Sequence, residues 1–107
     1  MYNKVYEKRE FIIFQVKNGY IAYNTKKTFA DGHTHLRCFD SAKTAIDLVI
    51  RKKVPRSTDL YYLTSLIRLS EDIDYITKIN GLTKYRKEKL NRENYQKNKI
   101  KILKRSI

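Results

Sequence analysis

The hydrophobic pattern of this chain changes period once, near Phe39, and that switch limits the fold more than any other feature of the sequence. Upstream, apolar residues recur at every second position; downstream, at every third or fourth. Strands line a face with alternate residues and helices with a 3.6-residue repeat, so strands are grouped before helices. The expected class is α+β: a small antiparallel three-stranded sheet followed by three helices packed on one face.

Three runs read as strands. Over Glu10 to Val16, Phe11 and Ile13 alternate with Ile12, Phe14 and Val16, which predicts a central strand covered on each side. Asn18-Gly19 matches the two positive-φ residues of a type I′ turn and leads into Tyr20 to Thr25, with Ile21 and Tyr23 on one face. Asp31-Gly32 marks a second turn before His33 to Phe39, where Thr34, Leu36 and Cys38 share one face and His33, His35 and Arg37 the other.

Asp40 or Ser41 can cap a first helix with an apolar stripe of Ala42, Ala45, Ile46, Val49 and Ile50, stopped near Lys53 by Pro55. Ser57 or Thr58 opens a second, with Leu60, Leu63, Leu66 and Ile67 inward. Ser70 caps a third, whose first turn holds Glu71, Asp72 and Asp74 against the positive helix end. Ile73, Ile76 and Ile79 are its core positions, and Gly81 suits the residue past its end.

Charge divides the chain differently. Of a net +13 over 107 residues, +8 falls on residues 84–107, so a body over 1–83 is followed by a basic extension over 84–107. Tyr85, Leu90 and Tyr95 are isolated there among charges, which predicts a segment that is helical with a polar surface nearly all round, or disordered. The body is long enough for one core. A net positive charge excludes an acidic mimic of nucleic acid. Cys38 alone cannot form an intramolecular disulfide, the N-terminal MYNKVYEKRE is charged where a secretory leader is apolar, and the longest apolar run, Phe11 to Phe14, is far short of the roughly 20 residues of a membrane span. The expectation is a cytoplasmic protein without a membrane partner.

The basic extension supplies the first candidate interface. Lys84, Arg86, Lys87, Lys89, Arg92, Lys97, Lys99, Lys101, Lys104 and Arg105 can neutralise phosphates and release counterions, and Tyr85 and Tyr95 can stack on unpaired bases. A second basic group, Arg51, Lys52, Lys53 and Arg56, surrounds the end of the first helix, where cations also satisfy a helix C-terminus. His33, His35 and Arg37 form a third candidate contact set on one strand face. Reading of a major groove by the third helix is disfavoured, because Glu71, Asp72 and Asp74 would meet phosphates. Neither a glycine-rich phosphate loop nor a CxxC pair nor a nucleophile elbow occurs, so an enzyme, a cofactor and a resident metal are not expected.

Two resemblances bear on function. Asp31-Gly32-His33-Thr34-His35-Leu36, with Tyr85 and Lys89 or Tyr95 and Lys99 later, resembles the two-histidine motif of the HUH family of single-strand nickases. That resemblance implies a histidine-held divalent metal and a tyrosine nucleophile. The sequence departs from it in Thr34, in the missing later strands and in the lack of a third ligand. The run from Gly32 through Ala42-Lys43-Thr44-Ala45-Ile46-Asp47-Leu48, Pro55, Tyr62-Leu63-Thr64-Ser65-Leu66-Ile67-Arg68-Leu69-Ser70 and Asp74-Tyr75-Ile76 resembles small uncharacterised proteins of Gram-positive phages and mobile elements. That second resemblance covers about residues 10–80 and implies a regulator or inhibitor of host defence, including inhibitors of RNA-guided nucleases.

The expected function is therefore a non-enzymatic protein that engages nucleic acid or a nucleoprotein through a basic surface, as an inhibitor of a host RNA-guided nuclease. A DNA-binding regulator and a metal-dependent HUH-like nickase are the alternatives.

Overall fold

The computed structural model describes residues 3–56 and 59–105, with side chains described as far as Lys89. Strands β1 (Asn3–Lys8), β2 (Phe11–Val16), β3 (Gly19–Asn24) and β4 (His33–Leu36) form one antiparallel sheet in sequence order. The α+β class stands, with four strands in place of three. The added strand, β1, is an exposed edge whose NKVYEK sequence has no sustained alternation. Its partner holds it: Tyr6 pairs with Ile13 and Lys8 with Phe11, and the Tyr6 ring packs edge-on to Phe39 at 6.0 Å.

Paired residues share a face, so the register puts Phe11, Ile13, Ala22, Asn24, Thr34 and Leu36 together, and Ile12, Phe14, Ile21, Tyr23, His33 and His35 opposite. Helices α2 (Phe39–Arg51) and α3 (Leu60–Leu69) cover the first face, joining Ala42, Ala45, Ile46, Val49, Leu63, Leu66 and Leu69 to the sheet in one core. Each of these fully buried leucines and isoleucines contributes about 1.5–3 kcal/mol by leaving water. The expected cover on both sides of β2 is met unequally: long helices lie on one side, while on the other Ile12 and Phe14 are half-buried and only their neighbour Ile21 is fully buried. A single helical turn, α1 (Phe29–Gly32), stands where only a turn was expected and brings the Phe29 ring against Tyr23 and His33 on that second face.

The β2–β3 hairpin forms with a different turn. Val16 pairs with Gly19, so the two loop residues are Lys17 and Asn18, and neither has the positive φ of a type I′ turn. Gly19, at φ +153°, is the residue that needs to be glycine, because a Cβ there would stand 2.7 Å from the carbonyl oxygen of Leu36. β4 also stops at Leu36, short of Phe39. Cys38 leaves the strand to become the exposed residue before α2, replacing Asp40 or Ser41 as the helix start.

The helix ends differ in similar ways. α2 closes before the expected Lys53, because Lys52 takes the left-handed conformation at φ 56° and its N–H and that of Lys53 return to the carbonyls of Val49 and Leu48. Asp59 caps α3 by accepting from the Tyr62 N–H at 2.7 Å; the expected caps Ser57 and Thr58 lie outside the described residues. The last helix, α4 (Ile73–Arg105), is capped by Asp72, which accepts from the Tyr75 N–H, while the Ser70 hydroxyl accepts from Asp72 N–H. Ile73, expected in the core, is 78% exposed; Tyr75 and Ile79 are the buried positions. The helix does not end at Gly81 but continues through it across the expected boundary at residues 83 and 84.

Polar side chains lock the layers together. Asn24 is buried, with its Nδ2 donating to the Leu69 carbonyl and to Glu71, and its Oδ1 accepting from Lys26 N–H. Ser65 Oγ gives its hydrogen to the Tyr61 carbonyl, so Thr34 Oγ1 is the donor in the buried 2.7 Å bond between Thr34 and Ser65. Arg68 donates to the carbonyls of His33 and Ala30, and Lys27 donates to that of Arg68. Burial in this corner pushes the Lys27 amine below its ordinary range.

Candidate nucleic-acid interface

After Tyr75 and Ile79, α4 loses its contacts with the body within one turn. Thr83 is half-buried and donates to the Ile79 carbonyl; from Lys84 to Lys89 every side chain is exposed. The segment is rich in Lys, Arg and Glu, which lose little rotamer freedom in a helix, so the backbone continues without a packing partner. Lys84, Arg86, Lys87 and Lys89 make no ion pair with any described residue, and Tyr85 is 63% exposed among them. Glu88 is the only acid in this stretch. The later candidates Arg92, Tyr95, Lys97, Lys99, Lys101, Lys104 and Arg105 lie on the same helical backbone, and their side chains fall outside the described residues.

The second basic group sits at the start of α4, not along its cationic stretch. Lys52 pairs with Asp72 at 2.7 Å, and the Tyr75 hydroxyl donates to the Lys53 carbonyl at 2.9 Å. At 1.5 Å per residue, Asp72 and Lys84 are roughly 18 Å apart along the helix. Lys52 is thus a structural tie; Arg51, Lys53 and Arg56 are exposed. Burial, with the neighbouring Tyr62 added, pushes the Tyr75 hydroxyl up to about 12.

On β4, His33 and His35 do share the outer face, with ring centroids 5.2 Å apart. The His33 ring stacks on Phe29 at 4.3 Å and its Nδ1 bonds the Phe29 carbonyl; a carbonyl only accepts, so Nδ1 carries the hydrogen. Among the described residues no group of three His, Cys, Asp or Glu side chains stands where it could hold a metal ion. No ring contact or hydrogen bond joins Tyr85 to the histidine pair among the described residues.

A cleft of about 710 Å³ opens where the β2–β3 turn meets the end of β4 and the beginnings of α2 and α3. Tyr20, His35, Arg37, Ser41, Asp59, Tyr61 and Tyr62 are among its walls. Tyr61, 60% exposed, is held by a 2.6 Å bond from its hydroxyl to the His35 carbonyl. Cys38, next in sequence to the lining residue Arg37, has its sulfur 2.9 Å from the hydroxyl of Ser41, which also lines the cleft. That hydroxyl first, then the Ser41 backbone N–H, holds the Cys38 thiol below its ordinary range. Burial, and then the Cys38 charge, raises the Tyr62 hydroxyl.

Sequence reasoning found Arg37 and His35 but missed Tyr61 and Asp59. Tyr61 stands off the Leu60, Leu63, Leu66 stripe, and an aromatic residue on the polar side of an amphipathic helix was the available signal. No helix among the described residues is long and apolar enough to cross a membrane. No family model, curated protein or solved structure matches this chain.

Proposed function

We propose that this protein is a non-enzymatic binding module for nucleic acid or a nucleoprotein, in which the α+β body presents the cationic stretch of α4 to a phosphate backbone. One observation carries the reading: Lys84, Arg86, Lys87 and Lys89 are exposed on a regular helix and pair with no described carboxylate, although the body's Lys4, Lys8 and Lys52 each do. Cations that pair with no described carboxylate, on a stretch of helix whose described side chains are all exposed, have no role in the core, and the gain available to them is release of counterions from a polyanion. In the setting that the phage resemblance suggests, the partner is a host RNA-guided nuclease, approached through its guide or target strand.

The test is binding of the full chain to fluorescein-labelled single-stranded and duplex oligonucleotides by anisotropy, compared with a variant carrying Gln at Lys84, Arg86, Lys87 and Lys89. Weaker binding of both ligands by the variant is expected, and equal binding contradicts the reading. Single-stranded DNA incubated with the protein and Mn²⁺ or Mg²⁺ should remain intact; cleavage would instead support the nickase.

A further inference from the structure

The cleft at the β2–β3 turn is separated from the start of α4 by the whole of α2, and its chemistry differs from that of the cationic helix. Its volume, about 710 Å³, is in the range of sites that enclose a small ligand. Three features define what fits. Tyr61 offers an exposed ring already fixed by its bond to the His35 carbonyl, so little conformational freedom is lost when something stacks on it. Arg37 is exposed and forms no hydrogen bond or ion pair with a described residue. Asp59 uses Oδ1 to cap α3, and Oδ2 makes no hydrogen bond to a described residue.

An aromatic plane, a free guanidinium and a free carboxylate oxygen around one cavity complement a ligand with a flat heteroaromatic ring, an anionic group and N–H donors on the ring or its amino substituents. A nucleotide has all three. A free phosphate would leave Tyr61 unused, and an apolar ligand would leave Arg37 and Asp59 unpaired. We propose that this cleft seats one unpaired nucleotide of a single strand, its base on Tyr61 and its phosphate on Arg37. Duplex bases are stacked on their neighbours and cannot enter, so the cleft adds a preference for single strands to the phosphate contacts of α4.

This inference rests on the nucleic-acid reading of α4, and the test separates the two. The probes are a fluorescein-labelled single strand of about 20 nucleotides and its duplex, titrated with the full-length protein by anisotropy near physiological salt. Tyr61→Ala should weaken single-strand binding by about 5- to 150-fold, as loss of one base–aromatic stack does, and leave duplex binding within about twofold. Tyr61→Phe keeps the ring and should stay near wild type. Arg37→Gln, an exposed position whose replacement leaves the fold intact, should also weaken single-strand binding. Single-strand affinity unchanged in both Tyr61→Ala and Arg37→Gln overturns the cleft proposal, even if the α4 variant loses affinity. Equal losses on single strand and duplex overturn it too. If the α4 variant binds as wild type while the cleft variants fail, the α4 reading falls and the cleft stands.

Discussion

Lys52 Nζ lies 2.7 Å from Asp72 Oδ2 and ties the left-handed residue after α2 to the cap of α4. The hydrogen bond from Lys52, with the Tyr75 N–H behind it, holds the Asp72 carboxyl below 3.8, and the Lys52 amine is raised in return. A carboxyl depressed in the folded state adds stability that is complete above its unfolded value and disappears as pH falls through the folded one. Asp72→Asn keeps an oxygen that can cap α4 but removes the charge that Lys52 holds, so it should lower the Tm modestly at neutral pH. Below 3.8 the gap between wild type and variant should close. Thermal melts by circular dichroism at neutral pH and near pH 2.5 check this; a gap equal at both contradicts it.

Tyr75 titrates at the other end of the scale. Its hydroxyl ionises near 10.0 in the unfolded chain and about 12 in the folded one, so the unfolded state gains from deprotonation first and stability falls as pH rises between those values. Tyr75→Phe should flatten this alkaline loss, at a constant cost from the missing bond to the Lys53 carbonyl. Urea melts at pH 8 and near pH 11 measure it. A variant that loses stability as steeply as wild type would show that another group governs the alkaline limb.

Cys38 should be a fast nucleophile. It is exposed, and the Ser41 hydroxyl and N–H favour its thiolate. Iodoacetamide should alkylate it faster at neutral pH than it alkylates a cysteine in an unstructured peptide, and Ser41→Ala should slow the reaction. Equal rates for protein and peptide would contradict the geometry.

Two positions, one apolar and one polar, should invert the usual expectation. Ile73→Ala removes a side chain that is 78% exposed and should change stability by less than about 0.5 kcal/mol. Asn24→Ala leaves the Leu69 carbonyl and the Lys26 N–H without their buried partner and should cost about 2–3 kcal/mol. Urea denaturation with an unchanged m-value reads both.

This inversion also marks what the sequence could and could not convey. Strands β2 to β4 and the inward stripes of α2 and α3 were legible because burial on one face writes a strict period: Ala42, Ala45, Ile46 and Val49 are all buried as their spacing predicts. β1 was not, since an edge strand needs only a partner's hydrogen bonds and leaves no alternation in NKVYEK. Ile73 continued an apparent i, i+3 stripe, but Asp72 sets the start of α4 so that Tyr75 and Ile79 face inward instead. Gly81 read as a stop because glycine is disfavoured in helices by about 1 kcal/mol, a cost the following helix-forming residues offset. The cationic stretch of α4 was visible from composition alone. The cleft was not, because Arg37 follows β4 while Asp59 and Tyr61 begin α3, two segments that only the packing of α3 on β4 brings together.

The most direct test of the account is the salt dependence of duplex binding by the full chain. Each phosphate neutralised steepens the fall of log K with log salt by about 0.9, so eight net charges allow a slope as steep as about −7. Replacing Lys84, Arg86, Lys87 and Lys89 by Gln should reduce that magnitude by about 3 to 4, together with affinity at low salt. A variant whose slope and affinity equal those of wild type would show that the exposed cations of α4 do not touch a phosphate backbone.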